Sequence, residues 1–565
     1  MLTSRLSPAA YGRFLVGIAG FGGLLYGIDI GVIAAALLYL SKTVNLTVAQ
    51  TSAIVAAVLG GSMVSSLIAG LLADWVGRKK IMIVSGVMFL ASVVLIVLSQ
   101  GFATLLFGRL LQGMSGGVIA VVVPLYLAEC LGAHHRGRGT AIFQWMLTFG
   151  IVIASVTGLL YTRAAEAAIT AAAGNPVLIQ AAESHAWRGM FLATMYPGLI
   201  FFLGTLFLVE SPRWLFRKGR NADALASLHK LLPPDEAVLQ MREMEALAVE
   251  SSQKRVQSAG DSLLQRKYVV PFLLACIVLA CNQATGINSI LGFLVVILKQ
   301  AGMSSAHATQ GDLVVKIVHC AMTVIAVLLV DRKGRRFLLR IGTGGLVCSL
   351  IGSALLFHTF EAQRLDVKQK VQTAIGGNAL HLPVDTGSFG PNVSGRRMAL
   401  TVLYSYGHGD RVATVLDTDQ DHVLSIAPDR TETGAPLVIR RAFYGPVASE
   451  TTGWLITIFL GLFVSFFSLG PGVVVWLMLS ELMPTRIRST GMGIALLINQ
   501  GVSTAIAAVF LPVVGNYGFY AMFLFWAGCT TIYFITATFF LPETKERTLE
   551  EIEEYFEHPR QKKFA

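Results

Sequence analysis

Asp29 stands in the middle of the apolar stretch GGLLYGIDIGVIAAALLYL, residues 22–40. A carboxylate at the centre of a hydrocarbon-crossing helix costs about 2.5–3.5 kcal/mol on insertion scales, so it faces a cavity or a partner. Arg109 is the cation at matching depth. At 1.5 Å per residue, Asp29 lies about 22 Å from the start of the apolar run 14–39, and Arg109 lies about 9 Å into the run 103–129, which crosses the opposite way. In a hydrocarbon core about 30 Å thick the two side chains reach similar depth, and pairing relieves both. The guanidinium favours the charged carboxylate, whereas desolvation favours the protonated one. Such a pair can serve as a proton switch if its surroundings change. Kept neutral and hydrogen-bonded, the same Asp only locks helices together.

A second polar group interrupts the run 269–298, in ACNQATGINSILGF. Gln283 lies near its midpoint, flanked by Asn282 and Asn288, and Thr285 and Gly286 are weak helix formers between them. Unwound backbone is tolerated inside a membrane only where it is buried in protein or lines a cavity. The alternative is a polar contact between helices.

The elements that position these groups follow from composition. Mean hydropathy is +0.65 and charged residues make up 14% of the 565 residues. Twelve apolar runs occur, at 14–39, 53–72, 80–98, 103–129, 140–161, 190–209, 269–298, 312–330, 337–357, 454–479, 491–514 and 518–541. The expectation is an all-α integral membrane protein; the first run is too long, and lacks the small-residue cleavage site, for a secretory signal. The net charge of +11 suggests nucleic acid only until the basic residues are located. Arg78, Lys79 and Lys80, then Arg136 and Arg138, then Arg332, Lys333, Arg335 and Arg336, then Arg486 and Arg488 all fall on one side if the spans alternate. The opposite short loops hold Lys42 and Lys299. The positive-inside rule places both termini in the cytoplasm, with a bacterial inner membrane as the expected location. The six cysteines lie in or beside apolar runs without CxxC spacing and read as small buried hydrophobes, with no metal site or disulfide framework.

The spans divide into halves, 1–209 and 269–357 with 453–545, joined by a charged, amphipathic segment over 210–268 and followed by a tail at 546–565. Each half repeats the same punctuation: GLLADWVGRKK against VLLVDRKGRR, AECLGAHHRGRG against SELMPTRIRSTG, VESPRWL against LPETKERTL. Asp74 and Asp331 are 257 residues apart while Glu129 and Glu481 are 352 apart, which locates an insertion at 358–452. It contains the strand-like pieces RMALTVLYSY, RVATVLDT and APLVIRRAFY, so a small β-rich extracytoplasmic domain is expected between the ninth and tenth spans. Asp410, Asp417, Asp419, Asp421 and His422 have no regular ligand spacing and read as solvated turns. Internal duplication points to a secondary transporter with its site between the halves.

The motifs GGLLYGIDIGVI, GRLLQGMSGGV, PLYLAE, RGRG, VESPRWL, NQATGIN, VDRKGRR, GPGVVVW and PETKERTLEEI resemble, in order, those of the sugar porter family of the major facilitator superfamily. The resemblance covers nearly the whole chain outside the insertion. It implies twelve helices in two six-helix bundles, alternating access to a central sugar site, a hexose, pentose or polyol substrate, and a proton gradient in place of any cofactor. It agrees with proton coupling at Asp29 and Arg109. It carries sugar-ligand roles onto Gln283 and Asn288, onto Asn282 (where a glutamine is usual), and onto Gln144, Trp476 and Asn499. Gln144 conflicts with depth, being only about 6 Å into a span that starts at 140. His319 falls where the family often has asparagine; it could hydrogen-bond sugar, titrate near neutral pH or simply pack.

Gly292 and Phe293 replace a frequent aromatic pair, Ile151 stands where glutamine sometimes occurs, and Gln500 replaces a frequent tryptophan. These departures imply a reshaped outer gate and altered hydroxyl recognition. At the cytoplasmic face, Asp74 with Arg78, Asp331 with Arg335, Glu129 with Arg138, Glu481 with Arg488, and Glu210 with Arg213 have the resources for charge networks that close the inner side in the outward-open state. A facilitative uniporter has no need of Asp29, and a sugar sensor would be expected to carry a longer cytoplasmic tail. No nucleotide loop or nucleophile–base set suggests an enzyme, and GTGG at 342–345 lies within a span.

Overall fold

The computed structural model describes residues 7–131, 133–257, 265–384, 389, 397–407, 409–416, 423–428, 435–484, 487–544, 547, 551–552 and 555–556, with side chains left undescribed at 133–141, 247–257, 331, 416, 477, 480 and 488–490. The first half comprises α1 (Pro8–Thr43), α2 (Val48–Val76), α3 (Arg78–Val97), α4 (Phe102–Cys130), α5 (Ala133–Ala171), α6 (Pro176–Ala193) and α7 (Met195–Leu206). Helices α6 and α7 together make the sixth span. Three helices connect the halves: α8 (Pro212–Arg217), α9 (Asn221–Leu231) and α10 (Pro234–Gln257). The second half contains α11 (Arg266–Ala284), α12 (Ile287–Gln300), α13 (Ser305–Lys333) and α14 (Arg335–Glu361). After the insertion and its short α15 (Lys368–Thr373) come α16 (Glu450–Phe467), a π-turn at Ser468–Gly472, α17 (Val473–Leu482) and α18 (Arg488–Phe539). The last helix holds two spans, because Gly518 leaves the helical region at φ +84°. Among the described residues, the eleven long apolar stretches thus make twelve crossings.

The bundle packs through small residues. On α1, Gly23, Gly27 and Gly31 recur every four residues and so share one face. A Cβ on each would run into the backbone at Phe143, Leu147 or Ile151, which recur at the same interval on α5. Gly150 answers from α5 against Leu24, and Gly61 meets α4 near Leu110 while Gly113 meets Val58 on α2. Apolar solvent gives helices no hydrophobic reason to associate, so close backbone approach and dispersion hold them together.

Two boundaries differ from the sequence reading. Helix α5 begins at Ala133 rather than 140, and the sixth span begins at Pro176 rather than 190. Both helices continue beyond the apolar window into polar residues, where hydropathy carries no signal but i→i−4 hydrogen bonding continues.

The insertion folds as two antiparallel sheets: β1 (Leu365–Asp366), β7 (Val438–Pro446), β4 (Met398–Ser405) and β5 (Arg411–Leu416) in one, and β2 (Ile375–Gly376), β3 (Ala379–Pro383) and β6 (Val423–Ile426) in the other. The three strand-like sequence pieces are β4, β5 and β7; the shorter strands lack the length to show alternation. Leu380, Leu400, Val402, Ile439 and Tyr444 form its own core. It touches both halves: the Asp410 carbonyl accepts from the Val48 amide at 2.8 Å, and Arg441 donates to the Asn516 carbonyl at 2.5 Å. Asp410 also pairs with Arg440 at 3.3 Å, whereas Asp417, Asp419, Asp421 and His422 lie outside the described residues.

Gly27→Leu should wedge α1 from α5. Overpacking of this kind costs about 1–3 kcal/mol, and the expected outcome is a lower melting temperature and a reduced monodisperse fraction on size-exclusion chromatography in detergent.

Candidate functional site

Asp29 and Arg109 meet as their depths require. Arg109 Nη1 lies 3.3 Å from Asp29 Oδ1, and both side chains are 1% exposed. The same Nη1 donates to Gln112 Oε1 at 2.7 Å, and the guanidinium lies 5.4 Å from the centre of the Phe191 ring. Asp29 Oδ2 and Arg109 Nε, both buried, have no hydrogen-bond partner among the described residues. Asp29 Oδ2 faces Gly116, where a Cβ would stand only 3.3 Å away. The carboxylate is therefore shielded from water and held on one oxygen alone, an arrangement in which its charge is poorly compensated.

The polar break in the seventh span forms a connected cluster. The chain turns at Thr285 and at Gly286, whose φ of +83° suits glycine, and a Cβ there would enter the Trp526 indole. Across this break Asn288 Nδ2 donates to Gln283 Oε1 at 2.9 Å and to Ser503 Oγ at 2.8 Å. Gln283 Nε2 donates to Asn499 Oδ1 at 3.3 Å, and Asn499 Nδ2 to the Leu279 carbonyl at 3.1 Å. Asn282 is buried next to Gln283 in the chain, and its Oδ1 has no hydrogen-bond partner among the described residues. Amides of this kind both donate and accept, as sugar hydroxyls do.

Gln144 is half-buried on α5, and Trp476 is 40% exposed on α17; among the described residues neither is hydrogen-bonded to the amide cluster. Helix α5 starts at Ala133, but its first residues, AHHRGRG, are polar and precede the apolar span, so Gln144 stays near the membrane end of that span. His319 is buried, with Nδ1 2.9 Å from Ser468 Oγ, so it joins α13 to the π-turn. Ser503 was invisible to the sequence reading because a lone serine in a span carries no signal.

At the face bearing the termini, each half builds the same network. In the first, Arg78 is 1% exposed and holds Glu129 through Nε at 2.8 Å and Nη2 at 2.9 Å, with Asp74 at 2.6 Å. Arg217 and Ser211 complete Glu129 at 2.6 and 2.5 Å. Glu210 accepts from the amides of Arg78, Lys79 and Ser211, capping α3, and Arg213 follows on α8. In the second, Arg335 meets Glu481 at 3.3 Å, Thr544 donates to Glu481 at 2.6 Å, and Glu543 accepts from the amides of Arg335 and Arg336. The side chains of Arg138, Asp331 and Arg488 lie outside the described residues.

Every described ion pair at this face stays within one half or ties a half to the linker, as Arg217 does. The reason is that the halves meet elsewhere. Leu511 N donates to Ser52 Oγ at 3.1 Å, and a Cβ on Gly292 would lie 3.2 Å from Val55. The insertion-side half of α1, from Val32 to Leu40, is wholly buried, as are Ile290 to Val295 on α12. The halves are closed on the insertion side, where Gly292 of α12 lies against Val55 of α2.

The profile of the family described as "Sugar (and other) transporter" matches residues 15–376 and 435–556. The chain belongs to this family. The transporter is 26% identical to a glucose transporter of Staphylococcus epidermidis, over 96% of each chain, and 27% identical to a proton myo-inositol cotransporter of Caenorhabditis elegans, over 100% of this chain and 92% of that one. Among solved structures it is similar to the xylose transporter of E. coli in a partially occluded inward open conformation, with a TM-score of 0.67 at 19% identity, over 95% of this chain and 99% of that one. The fold is thus the twelve-helix major facilitator fold, and members of the family are transporters rather than enzymes. The unmatched residues 377–434 fall inside the β-rich insertion.

Two outcomes are expected from this geometry. Gln283→Ala removes the amide that links Asn288 to Asn499 and leaves both without that partner, which should lower stability by about 1–3 kcal/mol; thermal unfolding in detergent measures it. Glu129→Gln removes the charge shared by Arg78 and Arg217 and leaves Arg78 with Asp74 as its anionic partner; the loss of charge-assisted hydrogen bonds should cost about 1.5–3 kcal/mol, which a thermal-shift assay reads as a drop in melting temperature.

Proposed function

We propose that the transporter is a proton-coupled sugar symporter carrying a monosaccharide or polyol by alternating access. The observation that carries this reading is Asp29: a fully buried carboxylate with one oxygen on Arg109 and the other unpartnered. Ionised, it relies on a single contact within low dielectric; protonated, it carries no charge to desolvate. Rocking of the halves changes its exposure to water and hence the balance between the two forms. Proton uptake on one side and release on the other follow, with the proton gradient as driving force and no cofactor.

Gln283, Asn288 and Asn499, with Asn282, Gln144 and Trp476, form the sugar site in this reading. Their amides answer hydroxyls, and the exposed Trp476 indole offers a face to a saturated ring. Relatives named for glucose and for myo-inositol, both rings bearing several hydroxyls, support the substrate class. The moving bodies are 1–209 against 269–357 with 453–545, connected through 210–268, with 546–565 as a tail. We assign the face bearing the termini to the cytoplasm of a bacterial inner membrane, because the short basic connections lie there. The insertion over 358–452 is then extracytoplasmic. With the contacts between halves on the insertion side, the conformation is inward-facing, and His319 serves to join α13 to the π-turn.

Reconstitution in weakly buffered liposomes, with pentoses, hexoses and polyols added in turn, tests this directly. Inward symport removes external protons, so external pH should rise with the transported sugar. Asp29→Asn should reduce that alkalinisation more than tenfold while sugar exchange across the membrane persists. Sugar entry with no pH change would mean a uniporter, and binding without entry a sensor.

A further inference from the structure

A second buried ion pair lies on α13, distinct from that of Asp29 and Arg109. Lys316 is 0% exposed and Asp312, one turn earlier, is 2% exposed. Lys316 Nζ lies 2.8 Å from Asp312 Oδ1 and 2.9 Å from Oδ2. The pair is completed by the other half of the protein. Ser155 Oγ on α5 donates to Asp312 Oδ2 at 2.7 Å, and Lys316 Nζ donates to the Gly31 carbonyl on α1 at 3.3 Å. An ammonium has three donors; here it donates to Asp312 Oδ2 and, across the interface between halves, to the Gly31 carbonyl, while Asp312 Oδ1 meets it as an ion-pair contact and has no hydrogen-bond partner among the described residues.

Burial of two charges is tolerated to the extent that they pair closely and further hydrogen bonds meet their remaining lone pairs and protons. The ion pair itself is carried by one helix and travels with it. The serine hydroxyl and the glycine carbonyl belong to the other half and are available only while α13 lies against α1 and α5. When the insertion side opens, water must replace them. Gly31 is also two residues from Asp29, on the face of α1 that meets α5, where a Cβ would stand 2.8 Å from that of Ala154. The same stretch of α1 is therefore gripped by Arg109 on one side and by Lys316 on the other.

We propose that Asp312 and Lys316 are positioning residues of the transport cycle. Carried by one half, the pair latches the insertion-side gate by engaging Ser155 and the Gly31 carbonyl of the other, and so ties closure of that gate to the turn of α1 that presents Asp29. The link to coupling rests on the symport reading; the latch itself does not.

The test uses Val55→Cys as a reporter, since Val55 is 5% exposed in the closed interface against Gly292. Its labelling by a membrane-impermeant maleimide added on the insertion side, in proteoliposomes without sugar and corrected for the protein lacking it, reports opening of that gate. Asp312→Asn with Lys316→Met removes both charges and leaves neither stranded. The exchange Asp312→Lys with Lys316→Asp keeps an ion pair but takes the ammonium away from Gly31. Ser155→Ala removes one cross-interface donor and leaves the pair untouched, so it gives an answer even if the double variants fail to fold. Labelling should accelerate about tenfold or more in both double variants and severalfold in Ser155→Ala. Sugar affinity should stay within about twofold, while maximal transport rate and protons moved per sugar fall in the double variants. Unchanged labelling in every folded variant overturns the latch. Faster labelling with an unchanged proton-to-sugar ratio overturns its link to Asp29. A parent protein that moves sugar without protons sinks the symport reading alone, because the labelling rates still judge the latch.

Discussion

Charge buried among membrane helices must be matched, and this requirement organises the molecule. A carboxylate, guanidinium or ammonium taken out of water is retained only if another group meets it. Asp29 with Arg109, Glu129 with Arg78, and Asp312 with Lys316 each pass that requirement differently. Glu129 is fully served by two arginines and a serine, which suits a fixed joint between helices and linker. Asp312 and Lys316 pair with each other and gain two further hydrogen bonds from the other half while the halves are together, with Asp312 Oδ1 unpartnered among the described residues. Asp29 is under-served, with one oxygen left over. The degree of satisfaction separates a structural joint from groups suited to change.

The backbone obeys the same accounting. Gly77, Gly334 and Gly518 have positive φ and each lies against a glutamate carboxylate, from Glu210, Glu543 and Glu361 respectively. Those carboxylates take up the free amides that begin the next helical stretch, at Arg78, Arg335 and Phe519. Helix N-termini present unpaired donors and a positive dipole end, so an acid there serves both. Two of these caps are related by the internal duplication, and both tie the loop after a half's last span to a helix start within that half. Each half is thus stiffened internally, leaving the interface between halves as the compliant surface.

That interface is lined differently along its depth. On the insertion side, packed apolar residues of α1 and α12, the Gly292 contact and the Lys316 latch hold the halves together. Near the middle lies the amide cluster of Gln283, Asn288 and Asn499, placed by the break at Gly286. At the face bearing the termini, the charge networks stay within each half. The β-rich insertion rests on both halves through Val48 and Asn516, so it spans the closed mouth rather than hanging from one helix.

Much of this was legible in the sequence. Apolar run length fixes the spans, because a bilayer imposes one thickness on all of them. Repeated acid–arginine punctuation reveals the duplication, and an intramembrane Asp with an Arg at equal depth reveals the pair, since depth follows from residue count alone. Gln283 and Asn288 announce themselves as amides beside a glycine break. What the sequence could not convey depends on which faces meet. Asp312 and Lys316 sit where a span end is expected to be charged, and only the helix start at Ser305 and the approach of α1 and α5 bury them. The true start of α5 is hidden because polar helix ends have no hydropathy signature. Which half each gate arginine serves was equally undetermined, since composition fixes a residue's depth in the membrane but not the neighbour it finds there; that is decided by helix packing and by the side on which the halves have closed.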